Sequence, residues 1–265
     1  MAEALRISAA AGYATQVWAV ANAELRKLRH DPWELLTRAI QPILWLMLFG
    51  QVMAHVRGIN TGSVGYLDFL APGILAQSVL FVAIFYGISV IWERDLGVLH
   101  RYMVSPAPRS ALVIGKAMSS GVRGLSQALV IYICALAMHV ELSPSPGDAL
   151  LAALFVCLSS ALFSTFSLVV ATIVRTRERF MGIGQVLTMP IFFASNAIYP
   201  IELMPKWLQA VAFANPLSYA VDGLRAVMLR TSASVFGLVH DLVVLLVATV
   251  VLVAIAARMY PRMTE

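Results

Sequence analysis

The sequence predicts an all-α integral membrane protein with six transmembrane helices, and three observations support this fold class. Of its 265 residues, 60% are hydrophobic and 12% are charged, whereas a soluble domain has about 45–50% apolar and about 25% charged residues. Six apolar stretches approach the roughly 20 residues that a helix needs to cross a bilayer. Of the 19 Lys and Arg residues, 14 fall in segments that six spans would place on one side. A soluble globule is excluded, and there is no room for a large soluble catalytic domain.

Residues 1–38 precede the first apolar stretch and predict an amphipathic helix. Its charged side chains lie mostly away from the apolar face, and it is expected to stop near Asp31-Pro32 because proline cannot continue a helix. The basic residues favour a position on the cytoplasmic face of the membrane, against acidic lipid. Packing on a partner protein is the alternative. The apolar positions are Tyr13, Val17, Ala21, Leu25 and Leu28.

The rest of the chain, residues 39–265, is interpreted as one six-span transmembrane domain. No cleavable signal peptide is visible, and the first span is expected to act as the targeting signal. Residues 200–237 contain two apolar pieces, 207–214 and 217–221, that are too short to cross; they predict interfacial or re-entrant helices with Trp207 and Tyr219 at headgroup depth. The predicted spans are 39–56, 69–92, 124–140, 149–174, 180–201 and 242–257; the third can extend back past Arg123, and the last extends upstream through 235–240.

The distribution of basic residues predicts the orientation of the spans. Short loops rich in Lys and Arg stay in the cytoplasm, and the 14 residues on one side of the predicted topology lie in the N-terminal segment, the second and fourth loops and the C-terminal tail. Both termini are therefore expected to be cytoplasmic, in a plasma membrane. The net charge of +5 follows from this rule and from contact with anionic lipid, so no nucleic-acid partner is expected.

The sequence carries no catalytic motif that we can identify. Gly115-Lys116 is followed by Ala117 and lacks the upstream glycine of a phosphate-binding loop, so the chain is not expected to bind ATP in that way. Cys134 and Cys157 are interpreted as packing residues, and no metal or cofactor is expected in this chain. Arg123 is the only ionisable residue inside a predicted span; we expect it to snorkel to the cytoplasmic surface, with a structural ion pair as the alternative. Energy for any transport is therefore expected to come from another subunit.

The second loop, residues 93–108, predicts a short amphipathic helix between two spans. Leu96, Leu99 and Met103 share one face, and Ser105-Pro106 is expected to end the helix. Such a helix can contact a soluble partner protein. A surface helix without a partner is the alternative.

Two stretches resemble the ABC type-2 exporter permeases, most closely the daunorubicin-resistance type. The second loop, from Glu93 through Arg109 to Gly115-Lys116, is similar to the family signature E-R-E-x-G-T-L-E-x-L-x-V-T-P-x-x-R…G-K. The second stretch begins at Pro190 and resembles the fifth span, the outer re-entrant hairpin and the N-P-L-x-Y-x-x-D-x-x-R segment of the family. Its matching hairpin residues are Pro200, Pro205, Trp207, Asn215, Pro216, Asp222 and Arg225.

The resemblance implies a coupling helix that inserts into a separate ATP-binding cassette subunit, where ATP and Mg would be bound. It also implies a dimer with a second permease copy, identical or different. Asp95, Val98 and His100 depart from the commoner Glu, Thr and acidic residue of the family. The residues implied in coupling are Glu93, Arg94, Leu96, Gly97, Leu99, Met103, Ser105 and Pro106.

The predicted spans are mainly apolar, which favours export of an amphiphilic or lipophilic drug or lipid. Export of a polysaccharide or other glycan by the same architecture is an alternative, as is a stand-alone channel or carrier. Pro42 and Pro190 are candidate bends in the path. The sparse polar residues that would line the path are Gln41, Gln51, Gln77, Ser195 and Asn196.

Overall fold

The computed structural model describes residues 2–30, 32–55, 65–98, 108–174 and 176–260. These residues are helical or lie in short connections, and their only strand-like contact is an isolated antiparallel bridge between Leu142 and Leu229. The helices are α1 Ala2–His30, α2 Pro32–Leu44, α3 Gly50–Ala54, α4 Tyr66–Asp95, α5 Arg109–Ala137, α6 Pro146–Ile173, α7 Arg177–Phe193, α8 Lys206–Ala214, α9 Pro216–Met228 and α10 Leu238–Met259. The all-α prediction is confirmed.

Four helices, α4, α5, α6 and α10, are long and apolar enough to cross a membrane. They correspond to the predicted second, third, fourth and sixth spans. The helix of the predicted third span, 124–140, does extend back past Arg123, since α5 already starts at Arg109. Lys116 and Arg123 lie within α5, and both are buried inside the helix packing.

The predicted first span falls on α2 and α3, which a π-helical turn at Trp45–Phe49 joins. The residues at both junctions, Leu44 and Gly50, have right-handed helical dihedral angles, so the helical path continues from 32 to 54. Pro42 lies just before the π turn; proline removes a backbone donor and disturbs the regular hydrogen-bond ladder. The predicted fifth span falls on α7, which contains Pro190 and ends three residues later at Phe193.

Helices α4 and α6 form the centre of the core, and small residues let their neighbours approach closely. A Cβ on Gly223 would overlap the ring of Phe155, so this glycine allows α9 to pack against α6. A Cβ on Gly73 would overlap the carbonyl group of Ala197, so α4 packs directly against the turn after α7. Close packing of this kind brings the short helix α9 into the core.

The segments that the charge asymmetry assigns to one side do lie at one end of the bundle. Tyr13 in α1 donates a hydrogen bond to Ser110 at the start of α5 (3.1 Å). Arg177 at the start of α7 pairs with Asp95 at the end of α4 (2.8 Å). Tyr260, which follows α10, belongs to the same core cluster as residues of α1 and the end of α4. We call this the charged end, and the end that carries α8 and α9 the opposite end.

Candidate functional site

A cluster of charged side chains, buried except for the half-exposed Lys27, joins three helices at the charged end. The Nζ atom of Lys116 in α5 lies 2.6 Å from Oε2 of Glu93 in α4 and 3.1 Å from Oε1 of Glu24 in α1. Lys27, one turn after Glu24, lies 2.5 Å from Oε1 of Glu93 and 3.2 Å from Glu24. The guanidinium of Arg123 lies 3.9 Å from Oε2 of Glu24 and 5.0 Å from the ring centroid of Tyr86. We call these five charged residues the ion-pair cluster.

Two members of the cluster, Glu24 and Lys27, are held in their ionised form by their partners. The side chains of Lys116 and Glu24 are each 1% exposed, and a charge buried to this extent is tolerated only when it is paired. Burial opposes ionisation of Glu24, but Lys116 and Lys27 outweigh it and lower the pKa of this carboxyl to about 2. Burial also opposes the charge on Lys27, yet its contacts with Glu93 and Glu24 raise its pKa. The paired charges therefore hold α1, α4 and α5 together at neutral pH.

Two sequence expectations are wrong here. Arg123 is 6% exposed and does not snorkel to the surface; the alternative, a structural ion pair, is confirmed. Glu93 does not begin a separate amphipathic helix, because α4 continues to Asp95 and the carboxylate of Glu93 turns inward. The spacing of Lys116 and Arg123, two turns apart on one face of α5, is the sequence signal that could have indicated this buried cluster.

The turn after α4 begins at the residues that the resemblance assigns to coupling. Leu96 is 70% exposed, and Gly97 has φ +71°, a left-handed conformation that favours glycine at a helix end. Arg94 contacts the neighbouring Asp95 at 3.3 Å. The other assigned residues, Leu99, Met103, Ser105 and Pro106, lie outside the described residues.

The end of α4 contacts the start of α7 through Arg177. Besides its ion pair with Asp95, the guanidinium of Arg177 lies 3.7 Å from the ring centroid of Trp92, a distance at which a cation is attracted to the aromatic face. The contacts of Arg177 and the ion-pair cluster together fix the last turn of α4 on two sides.

At the opposite end, polar side chains satisfy the irregular backbone around α9. Arg225 is buried and donates hydrogen bonds to the carbonyl oxygens of Asn196 (2.8 Å) and Phe69 (3.3 Å). Asn215 donates to the carbonyl oxygens of Ile191 (2.7 Å) and Ala194 (3.0 Å), and its side-chain oxygen accepts from the amide of Leu217. Asn215 is thus the N-cap of α9, and Pro216 occupies the first position of the helix, where proline is favoured.

A second polar group ties α9 to α10. Oδ2 of Asp222 accepts from the amides of Val235 (2.8 Å) and Phe236 (3.0 Å). The Ser234 hydroxyl lies 2.7 Å from Oδ2 of Asp222 and 3.0 Å from Oδ2 of Asp241. Ser234 therefore lies between the two carboxyl groups and links the side chain of Asp222 in α9 to that of Asp241 in α10.

The remaining hairpin residues occupy surface positions. Pro200 precedes the short 3-10 turn Ile201–Leu203, and Pro205 precedes α8. Trp207 is exposed, and the hydroxyl of the half-buried Tyr219 donates to the carbonyl oxygen of Phe213 (2.7 Å). Their predicted depth in the headgroup region stays a prediction.

The five polar residues expected to line a path have different surroundings in the described part of the chain. Gln41 and Gln51 are exposed on α2 and α3, Gln77 is buried within α4, and the other two lie in the turn after α7. Ser195 donates to the carbonyl oxygen of Phe192 (2.7 Å), which makes it a turn residue. The backbone oxygen of Asn196 accepts a hydrogen bond from the side chain of Arg225. That these five residues line a transport path stays a prediction.

Comparison with known proteins identifies the family. The ABC-2 type transporter family matches residues 15–229, from α1 to the end of α9. A protein of Porphyra purpurea named as the transport permease ycf38 is 31% identical over 203 residues, 76% of this chain and 69% of that protein. The daunorubicin resistance ABC transporter permease protein DrrB1 of Streptomyces coeruleorubidus is 26% identical over 239 residues, 86% of this chain and 78% of that protein. Nodulation protein J of Rhizobium leguminosarum bv. trifolii is 26% identical over 198 residues, 74% of each chain.

The match contains both the ion-pair cluster and the polar groups around α9, and the four apolar helices are long enough to cross a membrane. The chain belongs to the ABC-2 type transporter family and is a multi-pass membrane transport permease.

Proposed function

We propose that this chain is the permease subunit of an ATP-driven exporter, which moves an amphiphilic or lipophilic drug or lipid out across the cytoplasmic membrane. A separate ATP-binding cassette subunit supplies the energy, binding ATP and Mg, and a second permease copy completes the transporter. The relative named for daunorubicin resistance supports a lipophilic drug as one kind of cargo.

The proposed topology has six crossings, formed by residues 32–54, α4, α5, α6, α7 and α10. Both termini and the charged end are cytoplasmic, because short loops rich in Lys and Arg remain inside. Helices α8 and α9 form a re-entrant hairpin at the outer side. Non-helical backbone at membrane depth needs internal hydrogen-bond partners, and the contacts of Arg225 and Asn215 with backbone carbonyl groups meet that need.

The proposal rests mainly on the position of the turn after α4, which directly follows residues that are joined to three other helices. Leu96 is exposed there, while Glu93 and Asp95, just before it, are joined to α1, α5 and α7. A soluble subunit that binds this turn would therefore move the ends of α1, α4, α5 and α7 together. We assign the contact surface for the ATP-binding subunit to Arg94, Leu96 and Gly97. In the sequence, this surface continues through Leu99, Met103, Ser105 and Pro106. Glu93 is assigned to the ion-pair cluster and not to the contact surface.

The coupling contact is tested by co-purification of the ATP-binding subunit with Leu96→Asp. Burial of a leucine side chain contributes about 1.5–3 kcal/mol, so the charged variant is expected to lose the subunit and the ATPase activity while its membrane insertion is unchanged. Leu203→Asp, an exposed leucine at the opposite end, is the matched control and is expected to retain the subunit. Normal co-purification and transport in Leu96→Asp would remove this turn from the mechanism.

A further inference from the structure

A cleft opens between α1, α2, α4 and α5 beside the ion-pair cluster. Its volume is about 380 Å³, within the range of small-molecule sites. A neighbouring hollow of about 280 Å³ shares Arg38, Val82 and Phe85 with it and extends to Gln41. The two hollows therefore form one continuous groove between α2 and α4, which we call the α2–α4 groove.

The lining of the groove includes several positive charges. Its lining contains the cations Lys27, Arg38 and Arg123 and one carboxylate, Glu93. Both oxygens of Glu93 are engaged by lysines, at 2.5 Å and 2.6 Å. Adding Glu24 and Lys116, which complete the neighbouring cluster, gives four cations and two carboxylates. Two of the lining cations, Arg38 and Arg123, are guanidinium groups, which are suited to oxyanions.

Apolar side chains on one face of α4 line the same groove. Phe81, Phe85, Ile88 and Trp92 recur at helical spacing along it, and the rings of Phe81 and Phe85 stack with centroids 6.3 Å apart. At 1.5 Å per residue, this face is roughly 16 Å long. A bound molecule would thus meet both cations and aromatic side chains in the groove.

We propose that the α2–α4 groove binds an amphiphile with an anionic head group, such as a phosphate, sulfate or carboxylate, and an apolar arm. The head group lies among Lys27, Arg38 and Arg123, and the apolar arm lies along Phe81 and Phe85. The ligand comes either from the bilayer itself or from the pool of exported cargo. Only the second source rests on the proposed export function, since binding requires no ATP.

A hollow of about 410 Å³ elsewhere in the bundle provides an internal comparison. It lies between α5, α6 and α10, and its described lining, which includes Met118 and Leu158, contains no charged residue. Lipid held there should show no preference for an anionic head group. Selectivity for the head group therefore distinguishes the α2–α4 groove from general contact with lipid.

The test measures binding of dioleoyl phosphatidic acid and dioleoyl phosphatidylcholine to the purified full-length complex by native mass spectrometry, without ATP. The parent protein is expected to favour phosphatidic acid by about tenfold, and Arg38→Gln combined with Lys27→Gln is expected to bring that ratio close to one. Arg38→Gln alone is expected to give an intermediate ratio; because it leaves the ion-pair cluster complete, it also separates loss of binding from loss of folding.

Arg179→Gln is the matched control, because it removes the same charge from an exposed position at the same end and is expected to keep the parent ratio. Equal binding of the two lipids by the parent, or an unchanged ratio in the groove variants, would overturn the proposal.

Addition of ATP and Mg then separates the two sources of the ligand. Loss of bound phosphatidic acid during ATP hydrolysis identifies the ligand as cargo, whereas constant occupancy identifies a lipid held from the bilayer; both results require the groove. Failure of export in a separate transport assay, with head-group selectivity intact, would count against the proposed function alone.

Discussion

The Nζ atom of Lys116 lies 2.6 Å from Oε2 of Glu93, and both side chains are buried where α1, α4 and α5 meet. This ion pair joins the last turn of α4, just before the exposed Leu96, to the interior of the bundle. Because of this ion pair, a contact at the turn between α4 and α5 would displace several helices.

The first prediction concerns the strength of this pair. Lys116→Met leaves Glu24 and Glu93 without their buried partner, and breaking a buried pair in this way costs about 3–5 kcal/mol. We expect a clearly lower unfolding temperature in detergent, and partial recovery in the double variant Lys116→Met/Glu93→Gln. Arg179→Gln is expected to behave as the parent protein does; equal stability of Lys116→Met and the parent would show that the pair does not hold the helices together.

The second prediction concerns pH. The pKa of Glu24 is about 2, against an ordinary value of 4.5, because Lys116 and Lys27 outweigh the effect of burial. A carboxyl with a lowered pKa stabilises the folded state above its unfolded-state pKa, and this contribution disappears as the pH falls towards the folded-state value. Between about pH 4.5 and pH 3, the parent is expected to lose unfolding temperature more steeply than Glu24→Gln. Parallel curves for the two proteins would contradict the pairing of Glu24.

The third prediction concerns topology. Arg109→Cys at the charged end and Ala210→Cys at the opposite end are both exposed positions, and each is placed in a chain whose Cys134 and Cys157 are replaced by alanine. A membrane-impermeant maleimide added to intact cells is expected to label position 210 directly and position 109 only after permeabilisation. Labelling of both positions from the same side would show that the six-span topology is wrong.

The fourth prediction concerns the hairpin at the opposite end. Arg225→Met removes the donors that serve the buried carbonyl oxygens of Phe69 and Asn196, and an unsatisfied buried polar group costs about 1–3 kcal/mol. We expect a lower unfolding temperature and greater proteolysis of residues 200–237. Arg230→Met changes an exposed arginine close by and should leave both measurements unchanged. If the two variants are equally stable, Arg225 does not anchor the hairpin.

The sequence predicted the helical class, the gathering of the basic segments at one end and the two short helices near 207–221. The composition of the chain and the lengths of its apolar stretches predict these features, because a backbone inside a lipid bilayer must satisfy its hydrogen bonds internally. The role of Arg123 was harder to predict, since its partner Glu24 is distant in the sequence and belongs to another helix. The local contacts of Ser195 and Asn196 were equally hard to predict, because periodicity does not reveal that a polar residue hydrogen-bonds within a turn or to a distant arginine.

ATP-driven transport into inside-out vesicles tests the central claim most directly. The vesicles contain this permease with the ATP-binding subunit that co-purifies with it, and the probes are a fluorescent lipophilic drug, a fluorescent phospholipid and a fluorescent oligosaccharide. The account predicts uptake of the drug or the phospholipid that requires ATP and is lost in Leu96→Asp. Transport that proceeds without ATP, or uptake confined to the oligosaccharide, would contradict it.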